Sequence, residues 1–212
     1  MNETIDLLLN RKSVRQFEDR PLSNETRTAI LNAMRRAPSA GNQTLYSVID
    51  VRDAEKRERL SVLCDNQPFI ATAPWVLVFL ADVQRLYDFL RRSDVDSLVR
   101  RKIAAEAQPE EGDLFIACCD ALIAAHTSSV AAESLGVGSC YIGDILEHHE
   151  TIRRMFALPR YTIPITMVVY GYPTERAKTR PATERMPFEK FVFTDSYRPL
   201  SGSELDGMYD YV

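Results

Sequence analysis

The sequence predicts a single mixed α+β domain. Two short and continuous apolar runs, residues 73–80 and 163–170, have the length and composition of buried β-strands. A longer apolar stretch, residues 114–135, follows helical spacing instead. The chain has 212 residues, of which 45% are hydrophobic, and this is enough for one well-packed core.

Two helices and a strand are predicted before the first buried run. Three apolar residues near the N-terminus share one face of a short first helix: Ile5, Leu8 and Leu9. Ser23 is expected to cap a second helix, which Pro38 ends. Residues 45–51 are rich in strand-forming residues and predict the strand.

A long helix is predicted in the middle of the chain. Residues 83–111 are charged and predicted to be helical in part, with a loop at residues 108–112. Asp113 is expected to cap a helix over residues 114–135, which Gly136 ends. Apolar residues cover most of the circumference of this helix, so we expect it to be buried from several sides, for example by a second subunit.

The C-terminal part is predicted to contain one more helix and little regular structure after the second buried run. The helix is expected at residues 145–158, and a short strand at residues 191–193. The rest of the last 40 residues shows no strong periodic pattern. A tail of this length needs a surface to lie on.

Composition excludes several classes of function. The net charge of −4 gives no case for nucleic-acid binding. The four cysteines show no paired zinc-site spacing, and the neighbouring His148 and His149 diverge on a helix, so no metal site is predicted. The N-terminus lacks the pattern of a signal peptide, and no continuous apolar run approaches the ~18–20 residues needed to span a bilayer, so a cytoplasmic protein is expected.

Residues 10–17 concentrate positive charge against this acidic background. Arg11, Lys12, Ser13 and Arg15 supply three cations and a hydroxyl within five residues. This set of donors suits a phosphate or another dense anion. The alternative is an ordinary solvated charged face.

Three further motifs follow the basic segment, at residues 37–42, 136–143 and 158–173. By itself the first of these is a Pro/Gly turn, and Gly136 in the second is a helix C-cap. In this order and spacing, the four segments resemble the nitroreductase family of FMN-dependent oxidoreductases. The resemblance extends from Thr4 to Val192.

The resemblance implies a fold, an assembly and a set of FMN contacts. The implied fold has three layers, with a central mixed sheet flanked by helices, and it forms an intertwined homodimer. The whole chain, residues 1–212, is then one FMN-binding domain in which residues 180–212 wrap the partner subunit. The implied cofactor-binding residues are Arg11, Lys12, Ser13, Arg15, Pro38, Ser39, Asn42, Asn66, Gln67, Tyr141, Ile142, Gly143, Arg180 and Arg185.

Some of these assignments carry alternatives. Pro38 and Ser39 are implied to reach the flavin held by the other subunit. Asn66 and Gln67 either read the polar edge of the ring or cap a loop. Lys178 is a third candidate for the phosphate, beside the two arginines that follow it.

The implied activity needs no side-chain acid or base. Hydride would pass from NADH or NADPH through flavin N5 to an electron-poor acceptor such as a nitroaromatic or a quinone, in a ping-pong cycle. The backbone N–H of Gly143 is implied to approach N5. Residues 44–46 depart from the family's commoner Gln-Pro-Trp, which leaves open a specialised member such as a reductive dehalogenase or a flavin-consuming enzyme. A non-catalytic flavin-binding protein is the alternative from another class.

Overall fold

The computed structural model describes residues 2–92 and 109–208. The chain divides into two compact units, Met1–Thr179 and Arg180–Val212. The rest of the predicted helical stretch, residues 93–108, lies outside the described residues.

The first unit alternates helices with four strands. Its elements are α1 (Glu3–Asn10), α2 (Asn24–Met34), β1 (Tyr46–Asp50), α3 (Ala54–Leu63), α4 (Pro68–Thr72), β2 (Trp75–Asp82), α5 (Gln84–Arg92), α6 (Glu111–Ser134), β3 (Gly138–Ile142), α7 (His149–Met155), β4 (Thr162–Gly171) and α8 (Glu175–Thr179). Two 3₁₀ turns, Ala40–Asn42 and Asp144–Leu146, complete it.

The four strands form one sheet in the order β1-β2-β4-β3. Each neighbouring pair is antiparallel. Among the described residues, parallel pairing occurs only as an isolated bridge between Ser13 and Ser139 at the β3 edge. The α+β class is therefore confirmed, and the expected mixed character of the sheet is limited to this bridge.

The sheet lies between two layers of helices. Alternate residues of β2 point to opposite sides: Trp75, Leu77 and Phe79 pack with α2 and α6, whereas Val76, Val78 and Leu80 pack with α3, α4 and α7. All eight residues of β2 are buried, as expected for a central strand covered on both faces. The three-layer arrangement is confirmed in this unit.

Most of the strongly patterned elements are confirmed. The strand at residues 45–51 and the two buried runs are present as β1, β2 and β4. Ser23 caps α2, because its hydroxyl accepts the N–H of Thr26 at 3.1 Å. The helix predicted at residues 145–158 is broken into a 3₁₀ turn and the shorter α7.

The N-terminal end of α6 differs from the prediction, whereas its C-terminal end agrees with it. The helix begins at Glu111, so the loop expected at residues 108–112 is already partly helical. Asp113 is not the N-cap; it is the third helical residue and forms a reciprocal capping box with Glu110. Gly136 ends the helix as expected, with a left-handed φ of 70°.

The long helix α6 turns its small residues toward the sheet. Its buried residues are alanines, serines and one aspartate, Asp120. The exposed ones include large apolar side chains: Phe115, Ile116, Leu122 and Ile123. By length and composition α6 could cross a membrane, contrary to expectation, but 39% of its most apolar window is buried, and core helices of soluble proteins pass the same test.

The second unit, Arg180–Val212, contains a 3₁₀ turn (Phe188–Lys190) and the short helix α9 (Gly202–Asp206). Arg198 pairs with both carboxylate oxygens of Glu204, at 3.0 and 2.7 Å. The predicted strand at residues 191–193 is wrong: these residues follow the 3₁₀ turn and pair with no strand in the part of the chain that the structure describes. No residue in the described part of this unit is buried.

Candidate functional site

The basic segment lies along the β3 edge of the sheet. Val14 N donates to the carbonyl oxygen of Ser139 at 2.9 Å, and Glu18 N donates to that of Tyr172 at 2.8 Å. The close approach depends on Gly138, because a Cβ built there would lie 2.6 Å from Cγ2 of Val14. The segment that carries Arg11, Lys12, Ser13 and Arg15 is thus fixed against the third motif.

Four side chains of this region have buried polar atoms with no hydrogen-bond partner in the described part of the chain. They are Nη1 of Arg11, Oε2 of Glu133, Oγ of Ser139 and the hydroxyl of Tyr141. Buried polar atoms in native proteins are almost always paired, so these four atoms need a ligand, a water molecule or another chain. The Arg11 nitrogen and the two hydroxyl groups can donate hydrogen bonds to an anionic ligand, whereas a carboxylate oxygen such as that of Glu133 accepts them.

Glu133, near the end of α6, places a carboxyl group beside the positive charges of Arg11 and Lys12. Burial raises the pKa of its carboxyl group, and the nearby Arg11 and Lys12 act in the opposite direction. Lys12 also donates to the carbonyl oxygen of Lys178 at 2.6 Å, which joins the basic segment to the residues that follow the fourth motif. The ammonium of Lys178 itself pairs with Glu175 at 2.6 Å.

The third motif divides its side chains between the two faces of the sheet. Cys140 and Ile142 lie in the core that packs on α3, α4 and α7, so Ile142 could meet a ligand only through its backbone. Burial raises the pKa of the Cys140 thiol, while Arg15, Ser13 and Arg11 oppose the shift, in keeping with their position beside β3. Tyr141 points to the α6 side and packs against that core.

Gly143 follows β3 and begins a 3₁₀ turn. It is exposed, its φ is an ordinary −82°, and a Cβ there would meet nothing within 4 Å in the described part of the chain. Gln67 braces this turn: its Nε2 donates to Asp144 Oδ2 at 2.6 Å and to the Cys64 carbonyl at 2.9 Å. Both amide protons of Gln67 are therefore in use, and only its oxygen is left to contact a ligand.

Asn66 precedes this residue in a left-handed backbone conformation. Asp65 and Asn66 both have left-handed φ values, 60° and 50°. Such residues are uncommon and tend to cluster where the backbone has a special task. The side chain of Asn66 is exposed on the same loop as Gln67.

The second motif is anchored elsewhere, on the buried carboxylate of Asp120. Asp120 Oδ2 accepts the hydroxyl of Ser39 at 2.6 Å and the N–H of Leu45 at 3.0 Å, and Oδ1 accepts the N–H of Ala40 at 3.0 Å. Thr44 N donates to Ser39 Oγ at 2.6 Å. Four hydrogen bonds thus fix the loop that carries Pro38, Ser39 and Asn42.

Arg85 holds the far side of the same loop. Its guanidinium donates to the carbonyl oxygens of Thr44 and Tyr46, the latter at 2.9 Å. Thr44 has a φ of 53°, which a β-branched residue rarely adopts. The loop is therefore held in a strained shape by Asp120 on one side and Arg85 on the other.

One chain brings together only some of the residues predicted for the site. Arg11, Lys12, Ser13, Arg15, Tyr141, Gly143 and Gln67 are grouped around β3 by the contacts above. Pro38, Ser39 and Asn42 belong to the loop on Asp120, and at about 1.5 Å per residue the stretch of α6 from Asp120 to Glu133 spans about 20 Å. Arg180 and Arg185 are exposed residues of the second unit.

Sequence reasoning missed the residues that anchor the site: Asp120, Arg85, Glu133 and Asp144. Asp120 carries a usable signal, because a lone carboxylate inside an alanine-rich helix must be paired when buried. It is 2% exposed. Glu133 carries a similar signal, because it is the only Asp, Glu, Lys or Arg between Asp120 and Asp144 in the sequence. Arg85 and Asp144 each have another charged residue three positions away, so nothing in the pattern separates them from ordinary surface charges.

The structure places this protein in the class of three-layer α+β folds with a basic segment at the edge of the sheet. Comparison with known sequences identifies the family within that class. A model of the nitroreductase family matches residues 8–172. The chain is 32% identical over 93% of its length to the FMN reductase [NAD(P)H] of Bacillus subtilis, covering 75% of that protein. It therefore belongs to the nitroreductase family.

Two further relatives agree. The oxygen-insensitive NADPH nitroreductase of Salmonella typhimurium is 30% identical over 99% of this chain and 80% of its own. The structure of the NADPH:FMN oxidoreductase from Vibrio harveyi complexed with NAD⁺ superposes with a TM-score of 0.82. That match has 26% identity and covers 99% of this chain and 86% of the other.

Proposed function

We propose that this protein is an FMN-dependent oxidoreductase that moves hydride from NADH or NADPH to an electron-poor small molecule, such as a nitroaromatic or a quinone, in a ping-pong cycle. The observation that carries the proposal is the basic segment on β3, beside which buried donor atoms of Arg11, Ser139 and Tyr141 have no hydrogen-bond partner among the described residues. Relatives named as FMN reductase and NADPH nitroreductase support the same chemistry.

The residues present fit FMN in charge and in donor set. Arg11, Lys12 and Arg15 offer fixed positive charge for the phosphate, and the Ser13 hydroxyl offers a hydrogen bond. The exposed backbone at Gly143 leaves room for a flat ring to lie close. FMN, when bound, supplies the two-electron chemistry, so the protein supplies only position and electrostatics.

We further propose a cytoplasmic homodimer in which each site uses two chains. The site grouped around β3 lacks the loop with Pro38, Ser39 and Asn42, which is anchored about 20 Å away along α6. A second copy with its α6 packed on the first supplies that loop. Residues 180–212, which include Arg180 and Arg185, are proposed to wrap the partner, in keeping with the absence of buried residues in the described part of that unit.

The first experiment is a titration of the apoprotein with FMN, followed by anaerobic addition of NADH and of NADPH. Bound flavin that loses its yellow colour with either nucleotide supports the oxidoreductase, and a panel of nitroaromatic and quinone acceptors then identifies the class of acceptor. Bound flavin that neither nucleotide reduces indicates the non-catalytic flavin-binding protein. A chain that ignores FMN contradicts the proposal.

Replacement of the basic residues tests the position of the site. Arg11→Ala and Arg15→Ala are each expected to weaken FMN binding by about tenfold or more, because a hydrogen bond to a charged group contributes about 1.5–3 kcal/mol. Arg52→Ala is the matched control. Arg52 is an exposed arginine that follows β1, at the opposite edge of the sheet from β3, so this variant should bind FMN normally. Normal affinity in both site variants would move the phosphate elsewhere.

A further inference from the structure

The hydroxyl of Ser39 has its proton committed inside the protein. Ser39 Oγ lies 2.6 Å from Asp120 Oδ2. The serine is the donor in this pair. The same oxygen also accepts the N–H of Thr44 at 2.6 Å. One lone pair of Ser39 is all that is left for a ligand.

Asp120 itself leaves little freedom for any other arrangement. It is 2% exposed and accepts three donors from one loop: the hydroxyl of Ser39 and the backbone N–H groups of Ala40 and Leu45. Rotation of the Ser39 hydroxyl toward a ligand would leave a buried carboxylate oxygen with one partner fewer. Loss of a partner by a buried charged group is costly.

We infer that Asp120 is a positioning residue of the flavin site: it holds Ser39 so that its hydroxyl oxygen acts only as a hydrogen-bond acceptor toward bound FMN. The inference rests on the proposed function. It has a chemical consequence, because oxidised FMN with a fully ionised phosphate offers donors only at the ring N3–H and at the ribityl hydroxyls. The hydroxyl of Ser39 thus accepts a hydrogen bond from one of those groups, and it donates neither to the ring carbonyls nor to the phosphate.

A double-mutant cycle on FMN binding tests whether Asp120 acts through Ser39. The apoproteins of the wild type, Asp120→Ala, Ser39→Ala and the double variant are titrated with FMN, and the absorbance spectrum of the bound flavin is recorded. Asp120→Ala is expected to weaken binding about fivefold or more when Ser39 is present, and clearly less in the Ser39→Ala background. Asp120→Asn, which keeps the shape and removes one acceptor, serves if Asp120→Ala does not fold.

Ser128→Ala is the matched control for damage to α6. Ser128 is buried on the same helix and bonds the hydroxyl of Tyr170 at 2.7 Å. This variant is expected to lower the melting temperature and to leave the flavin spectrum and affinity unchanged.

The outcomes separate the two proposals. Equal loss of affinity in both Ser39 backgrounds, or no loss at all, with FMN bound normally by the wild type, overturns the role of Asp120 and leaves the proposed function standing. A wild type that does not bind FMN overturns both.

Discussion

At the scale of the residue, two glycines let the basic segment lie directly on the sheet. A Cβ at Gly138 would stand 2.6 Å from Val14, and one at Gly171 would stand 2.6 Å from the ring of Phe17. Both distances are shorter than the contacts that real Cβ atoms make in folded proteins. The basic segment must therefore move if either glycine is replaced by a residue with a side chain. The position of Arg11 and Ser13 thus depends on residues that carry no chemistry themselves.

Gly138→Ala is therefore expected to lower the free energy of unfolding by about 1–3 kcal/mol, the usual cost of overpacking, and to weaken FMN binding through the shift of residues 11–15. Gly112→Ala is the control, because its Cβ would meet nothing within 4 Å in the described residues. That change in α6 should stabilise the protein by about 0.5 kcal/mol or more. Chemical denaturation and FMN titration measure both effects. Equal stability in the two variants would contradict the close packing.

Glu133 provides a pH-dependent prediction. Burial raises the pKa of its carboxyl group above the ordinary value, so its charged form costs stability in the folded protein. The cost is absent below the ordinary pKa, where both states are protonated, and it grows as the pH rises through the higher folded pKa. Glu133→Gln should therefore raise the melting temperature of the apoprotein at pH 7 more than at pH 4. Glu58→Gln, exposed on α3, should show no such dependence. A gain that is independent of pH would contradict this origin.

At the scale of the element, local signals were sufficient where they were strong. The apolar runs of β2 and β4, the cap at Ser23 and the end of α6 at Gly136 are all present. The strand β3 was missed, because Gly138–Ile142 is short and becomes a strand by pairing with β4, a contact that is distant in sequence. The strand predicted at residues 191–193 failed for the opposite reason: it has strand-forming residues but pairs with no strand among residues 2–92 and 109–208.

The site shows the same division between local and distant information. The basic segment and the Gly-rich turn could be read from the sequence, and the resemblance joined them. That they meet through the Ser13–Ser139 bridge depends on the folded sheet. The anchors Asp120 and Arg85 lie about 80 and 40 residues from the loop they hold, and no local pattern joins such distant positions.

The backbone of the loop from Ser39 to Leu45 is strained at Thr44, and substitution of this residue tests the strain. Thr44 has a left-handed φ of 53° although it is β-branched. Asn tolerates this conformation much better, so Thr44→Asn should stabilise the protein by about 0.5–1 kcal/mol. Thr44→Val keeps the branched side chain and should give no gain. Thermal unfolding of the three proteins decides it. A larger gain from valine than from asparagine would mean that the hydroxyl, and not the backbone, is the source of strain.

At the scale of the whole molecule, α6 is the element that supports the proposed homodimer. It buries alanines and serines against the sheet and exposes Phe115, Ile116, Leu122 and Ile123. A surface helix normally does the reverse. An exposed stripe of large apolar residues marks a surface that another protein covers. Because Asp120 and Glu133 lie on the same helix, a second copy packed on α6 in the proposed homodimer would also bring its own loop of residues 39–45 toward the interface.

The protein is therefore expected to be a homodimer with FMN sites at the subunit interface, and a single side chain should break it. Phe115→Glu is expected to give a monomer that has lost its FMN, because a charge would be buried in an obligate interface of about 2,000 Å² or more. Phe89→Glu is the control: Phe89 and Phe115 are each 61% exposed, but Phe89 lies on α5. Sedimentation equilibrium distinguishes the monomer from the dimer.

The melting temperature of the wild type should also rise with the concentration of protein and of FMN, because folding, association and binding are coupled. A wild-type monomer of 24.1 kDa that still turns over would defeat this arrangement of the site.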